Sequence, residues 1–129
     1  MCIRDSCKGI YKETKTIAYQ DREDIRKNFL LLAKNMAKKG SFCGYATHDQ
    51  ALIDRILDWV ESEKIAPHLF EFQSLFGVPM NGRLEQLVEK GFRVRIYVPF
   101  GPDWFDYSLR RLKENPKIIS YVLTNLFKR

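Results

Sequence analysis

Histidine and cysteine are scarce in this chain. It has two of the first, His48 and His68, and three of the second, Cys2, Cys7 and Cys43. Two imidazoles far apart in sequence, with no CxxC pair, offer no ligand set for a structural or catalytic zinc. An odd number of cysteines makes no disulfide framework and points to a reducing compartment. No apolar run reaches the roughly 18 residues of a membrane span, and Met1–Ser6 contains no signal-peptide core. The expectation is a soluble, cytoplasmic protein. A dense basic stripe with interleaved aromatics, the mark of a nucleic-acid reader, is also missing. Lys plus Arg outnumber Asp plus Glu by 22 to 16, a net charge of +6, but in short clusters such as Lys38-Lys39 and Arg110-Arg111. That distribution argues against a nucleic-acid partner. It suits an anionic ligand, or peripheral contact of a basic C-terminal helix with an anionic membrane surface.

What is present is a core. The 129 residues, 45% of them hydrophobic, are about one domain's worth with no low-complexity linker. The segment Arg93–Glu114 organises the rest. Val94, Ile96 and Val98 alternate with Arg93, Arg95 and Tyr97, the period of a strand. Pro99 and Gly101-Pro102 end it, and Asp103 stands at a helix N-cap position. Phe105, Leu109 and Leu112 follow at helical spacing, with Tyr107, Arg110, Arg111 and Glu114 on another sector. Two adjacent guanidiniums beside a strand end carrying Tyr97 suit a small carboxylate or phosphate. A merely solvated Arg-Arg pair is the plainer account of those two residues.

Upstream, Cys7–Tyr11 reads as a strand. Asp21 caps a helix with Ile25, Phe29, Leu32 and Met36 on its apolar stripe, ending at Gly40. Phe42–Thr47 reads as a strand, followed by a helix capped by Asp49 with Leu52, Ile53, Ile56, Trp59 and Val60 inward. His68–Leu75 is a third strand, and Leu84, Leu87 and Val88 mark a helix stopped by Gly91. Beyond Pro116, Ile118 to Phe127 form a last amphipathic helix. The order βαβαβαβα predicts a parallel sheet with crossover helices. A strand covered on both faces would be nearly all apolar. Here Glu71 and Gln73 alternate with Phe70 and Phe72, and Arg95 and Tyr97 with Ile96 and Val98. One face of each strand therefore meets something polar, as near the mouth of a (β/α) barrel. A complete barrel needs about 250 residues, so the expected architecture is the C-terminal half of one.

Three strand-to-helix junctions carry candidate chemistry. Ala46-Thr47-His48-Asp49 brings a hydroxyl, an imidazole and helix N–H groups to one end, although capping alone explains Asp49. Gln73 and Leu75 share a face near the end of their strand, where the amide suits a heterocycle edge; an inward glutamine satisfied by its neighbours is the plainer alternative. Lys8-Gly9-Ile10-Tyr11 sets a basic residue beside a glycine that permits close approach of a cofactor, or is an ordinary strand end.

In this order and at these intervals, KGIYKE, YATHD, FEFQSLFG, and VRIYVPFG followed by WFDYSLRRLKENP resemble the signatures of the proline dehydrogenase family. The resemblance covers residues 7–129; Met1–Ser6 is an unmatched start. It implies a distorted (β/α)8 barrel holding FAD at the C-terminal strand ends, and oxidation of L-proline to pyrroline-5-carboxylate with a quinone as electron acceptor. Carried over by motif, Lys8, Gly9, Ile10, Thr47, His48, Gln73 and Glu114 match flavin contacts. Tyr11, Leu75, Tyr97, Arg110 and Arg111 match the substrate side, the arginine pair gripping the carboxylate. Asp5 stands where the family has an arginine, and Ile10 where it usually has alanine. The first four strands of the barrel are missing from the chain, so the fragment is expected to be inactive alone. A non-catalytic anion-binding α/β module built on Arg110 and Arg111 is the alternative.

Overall fold

A computed structural model describes residues 3–8, 13–106 and 109–110. It contains, in chain order, β1 (Ile3–Cys7), α1 (Arg22–Lys38), β2 (Phe42–Ala46), α2 (Gln50–Ser62), β3 (Phe70–Leu75), α3 (Arg83–Glu89) and β4 (Val94–Tyr97). The strands form one parallel sheet in the order β1-β2-β3-β4. Helix resumes at 104–106 and 109–110. The expected helix beyond Pro116 lies outside the described residues.

Local chemistry sets the element boundaries. The Asp21 carboxylate accepts the Glu23 and Asp24 N–H groups at 2.8 and 3.2 Å and so satisfies two orphan donors of α1. Gly40 ends that helix at φ +66°, a left-handed conformation that glycine adopts without steric penalty. Gly91 ends α3 in the same way, at φ +84°. Asp49 caps α2 through the Leu52 N–H at 3.3 Å.

Strictly sequential strand order leaves no point at which the helices change sides. The structure bears this out. Phe29 and Ala33 of α1, Leu52, Ile53, Ile56, Trp59 and Val60 of α2, and Leu87 of α3 share one buried cluster with Cys43, Tyr45, Phe70 and Phe72 of the sheet. Tyr45, Phe70, Phe72 and Phe92 form an aromatic seam, with neighbouring centroids 5.6–5.9 Å apart in tilted or edge-on pairs. Truncating a ring such as Phe70 to alanine would cost about 3–5 kcal/mol. By strand alternation, the opposite face carries Asp5 and Cys7, Gly44 and Ala46, Glu71, Gln73 and Leu75, and Arg95 and Tyr97. The arrangement is an α/β fold of four parallel strands, consistent with part of a barrel.

Several expectations shift. The first strand spans Ile3–Cys7, and the Lys8 N–H bonds the last carbonyl of β2, on Ala46, at 3.1 Å; Gly9–Tyr11 of the expected Cys7–Tyr11 strand lie outside the described residues. The third begins at Phe70, since Pro67–Leu69 close into a 3-10 turn. On α1, Ala33 takes the buried position while Leu32 is 48% exposed on the β1 side. Val88 of α3 faces outward at 57% exposure. The α2 stripe is buried as expected.

Candidate active site

Parallel strands that end together leave their last residues, and the first turns of the following helices, on one rim. That rim and the polar face beside it gather most of the candidate residues that the structure describes.

At the end of β2, Thr47 is buried and its Oγ1 accepts the Asp49 N–H at 3.1 Å, closing a tight loop. The loop sends His48 toward β3, where its Nε2 accepts the Leu75 N–H at 3.1 Å. An accepting Nε2 places the imidazole proton on Nδ1. Although part of the ring remains exposed, loss of hydration lowers its pKa, favouring the neutral form that this bond requires.

The loop is anchored from below. The Asp49 carboxylate receives the Lys8 ammonium together with two Arg26 bonds, from Nε at 2.9 Å and Nη2 at 3.0 Å. Burial alone would raise its pKa, but the hydrogen bonds from Arg26 and Lys8 and the Lys8 charge outweigh burial and hold it well below the usual carboxylate range. A second fork, Arg55 on Glu23 at 2.6 and 3.0 Å, ties α2 to α1. The Lys8 ammonium, matched by family motif to a flavin contact, is thus engaged with a carboxylate of its own chain.

On the polar face, Gln73 donates through Nε2 to Glu71 Oε1 at 2.9 Å and to Asp5 Oδ1 at 2.8 Å. Arg95 meets the same Glu71 carboxylate through Nε at 2.8 Å and Nη2 at 3.2 Å. Leu75 and Tyr97 are register partners on this face, one step nearer the rim. Tyr97 and Arg110 line a common cavity of about 230 Å³ with Val98, Phe100, Asp103 and Trp104. The structure therefore brings together Thr47, His48, Gln73, Leu75 and Tyr97, with Arg110 beside Tyr97. Gly9, Ile10, Tyr11, Arg111 and Glu114 lie outside the described residues. Sequence reasoning missed Arg26, Gly44, Glu71 and Arg95; the alternation of FEFQ with VRIY hinted at the last two, but not at their pairing. Among the described residues no cluster of acidic, histidine or cysteine side chains could hold a metal. None of the described helices is long and apolar enough to cross a membrane.

The chain is thus an α/β protein whose sheet is apolar and helix-covered on one face and carries polar side chains on the other. The family model for proline dehydrogenase matches residues 11–122, and the chain belongs to that family. It is similar to proline dehydrogenase of Deinococcus radiodurans, with 37% identity over 121 residues, 94% of this chain and 39% of the relative. Proline dehydrogenases 1 and 2 of Bacillus subtilis strain 168 are 36% and 34% identical over 122 residues, 95% of this chain and 40% of each relative. The chain therefore spans well under half the length of these relatives.

Proposed function

We propose that this chain forms the C-terminal half of a (β/α)8 barrel that oxidises L-proline to pyrroline-5-carboxylate with FAD as cofactor. The observation that carries the reading is that Thr47, His48, Gln73, Leu75 and Tyr97, separated along the chain, lie at the C-terminal ends of neighbouring parallel strands in a member of the proline dehydrogenase family. In support of the half barrel, helices α1, α2 and α3 pack on a single face, and Leu31 and Leu32 of α1 are exposed where another helix would cover them.

The residues present fit a flavin. Gln73 commits its amide nitrogen to carboxylates and keeps its oxygen as an acceptor, and His48 keeps Nδ1–H as a donor. The nearest buried carboxylate, Glu71, is neutralised by Arg95. When bound, FAD would supply the hydride acceptor for the carbon next to the proline nitrogen, its electrons passing on to a quinone. Thr47, His48 and Gln73 would face the cofactor, with Lys8, Gly9, Ile10 and Glu114 completing its surroundings. Arg110 and Arg111 would grip the substrate carboxylate with forked hydrogen bonds, while Leu75, Tyr97 and Tyr11 would hold the ring against the flavin and keep water out. The reading puts the enzyme in the cytoplasm, with peripheral contact at the membrane that holds the quinone. The fragment alone lacks the other half of the site and is expected to be inactive and to associate through its open strand edges.

The test uses the complete enzyme. It should be yellow and bleach on addition of L-proline. Arg110→Met should raise the KM for proline at least about tenfold, as loss of a charge-assisted bond requires, with flavin content unchanged. A complete protein that stays colourless and ignores proline would overturn the reading and leave anion binding as the role of the arginines.

A further inference from the structure

The charged pair on the polar face has no part in the chemistry above. Glu71 is 6% exposed, and its carboxylate is neutralised by Arg95, whose Nη2 donates to Oε2 at 3.2 Å while Nε lies in ionic contact with Oε1 at 2.8 Å. A buried carboxylate without such a partner would be strongly unfavourable. The remaining bond is directional. An ionised carboxylate only accepts, so the end of Gln73 that meets Glu71 Oε1 at 2.9 Å must be the nitrogen. Oε1 is then the end left for a ligand.

Space for this arrangement comes from Gly44, the register partner of Glu71 on β2. A Cβ there would sit 2.9 Å from Gln73 Cδ and closer still to its Nε2. The amide lies across bare backbone that only glycine provides. Glu71, Arg95 and Gly44, on three strands, thus converge on the orientation of one side chain, together with Asp5 of β1, whose Oδ1 accepts from the same Gln73 Nε2 at 2.8 Å.

We propose that Glu71, neutralised by Arg95, is a positioning residue that holds Gln73 across Gly44 and dedicates its Oε1 to an N–H on the edge of a planar heterocycle. The inference rests on the flavin reading for the identity of that heterocycle. An unheld glutamine would present either end and lose rotamer freedom on binding; a held one is ready beforehand.

The complete enzyme tests this through a double-mutant cycle on FAD affinity, read by quenching of flavin fluorescence. Glu71→Leu should weaken FAD binding about tenfold when Gln73 is present, and less than about twofold when Gln73 is already alanine. Glu71→Gln retains an acceptor and should lose less. It carries the same cycle, with smaller coupling of the same sign, should Glu71→Leu fail to fold. A readout free of flavin accompanies it: in the apo enzyme the Gln73 side-chain NH2 should exchange slowly by nitrogen-15 NMR, and measurably faster once Glu71 is leucine, even with Asp5 Oδ1 still accepting from Nε2. Equal weakening in both backgrounds, or a Gln73 amide that exchanges as fast as a free one in the unaltered protein, would overturn the positioning role. Absence of FAD binding by the unaltered enzyme would overturn the flavin reading instead, and amide exchange then decides the positioning role for or against.

Discussion

His48 replaces a strand: β2 stops at Ala46, and the imidazole Nε2 accepts the Leu75 N–H at 3.1 Å. The Leu75 N–H points to the β2 side of β3, since Phe72 and Phe76 send theirs to β4. Without the ring that donor would face the mouth unpaired.

Protonation of His48 should therefore loosen the rim. Its folded pKa is lowered by desolvation, so the neutral ring favours folding above the ordinary histidine value of about 6.5. That contribution is lost as pH falls from there through the lowered folded value. The protection factor of the Leu75 amide should drop in the same window, and His48→Ala should abolish the pH dependence at a cost of about 1 kcal/mol. Constant Leu75 protection across the window would refute the coupling.

The anchor beneath the loop responds to acid at a lower pH. The folded pKa of Asp49 is depressed, so its stabilisation is complete above the unfolded carboxylate value of about 3.9 and fades as pH falls below it. Asp49→Asn keeps a capping side chain but loses the charge that Arg26 and Lys8 engage. Urea melts should show a loss of about 1–2 kcal/mol at neutral pH, shrinking toward pH ~3. A deficit that does not change with pH would mean the ion pairs contribute nothing.

Gly44→Ala should separate folding from binding. The added methyl collides with the far end of a glutamine side chain rather than with backbone, so the sheet can persist while Gln73 is displaced. Melting temperature should change little, and FAD affinity should fall about tenfold or more. Retained affinity, with a crystal structure showing Gln73 unmoved, would contradict this.

Cys43 should be chemically silent in the folded protein. It is 1% exposed, and burial pushes its thiol pKa up to about 11. Iodoacetamide should label it only after unfolding, whereas Cys7, which is exposed, should react in the native state. Native-state labelling of Cys43 would show that the helix-covered face opens.

Much of this organisation was legible in advance because it follows from periodicity. The alternation of strand and helix, the caps at Asp21 and Asp49 and the buried stripe of α2 need only local spacing to be read. Leu32 misled because a stripe defines a sector of α1 and not which edge of that sector meets the sheet. The stop of β1 at Cys7 and the turn at Pro67–Leu69 depend on where neighbouring strands end. For the site, Thr47, His48, Gln73, Leu75 and Tyr97 could be proposed from their motifs. The pairing of Glu71 with Arg95, and of Asp49 with Arg26 and Lys8, joins residues whose proximity is fixed by strand register and helix docking. No spacing within one segment encodes it.

The segregation of the two faces of the sheet has an evolutionary consequence. Under the proposed function, the side chains that would meet ligand sit on tips and on a surface outside the hydrophobic core, so a lineage could retune what it binds without risking collapse of its scaffold. Gly44 is the exception: a single methyl there would be felt first by recognition, though the residue belongs to the scaffold's backbone.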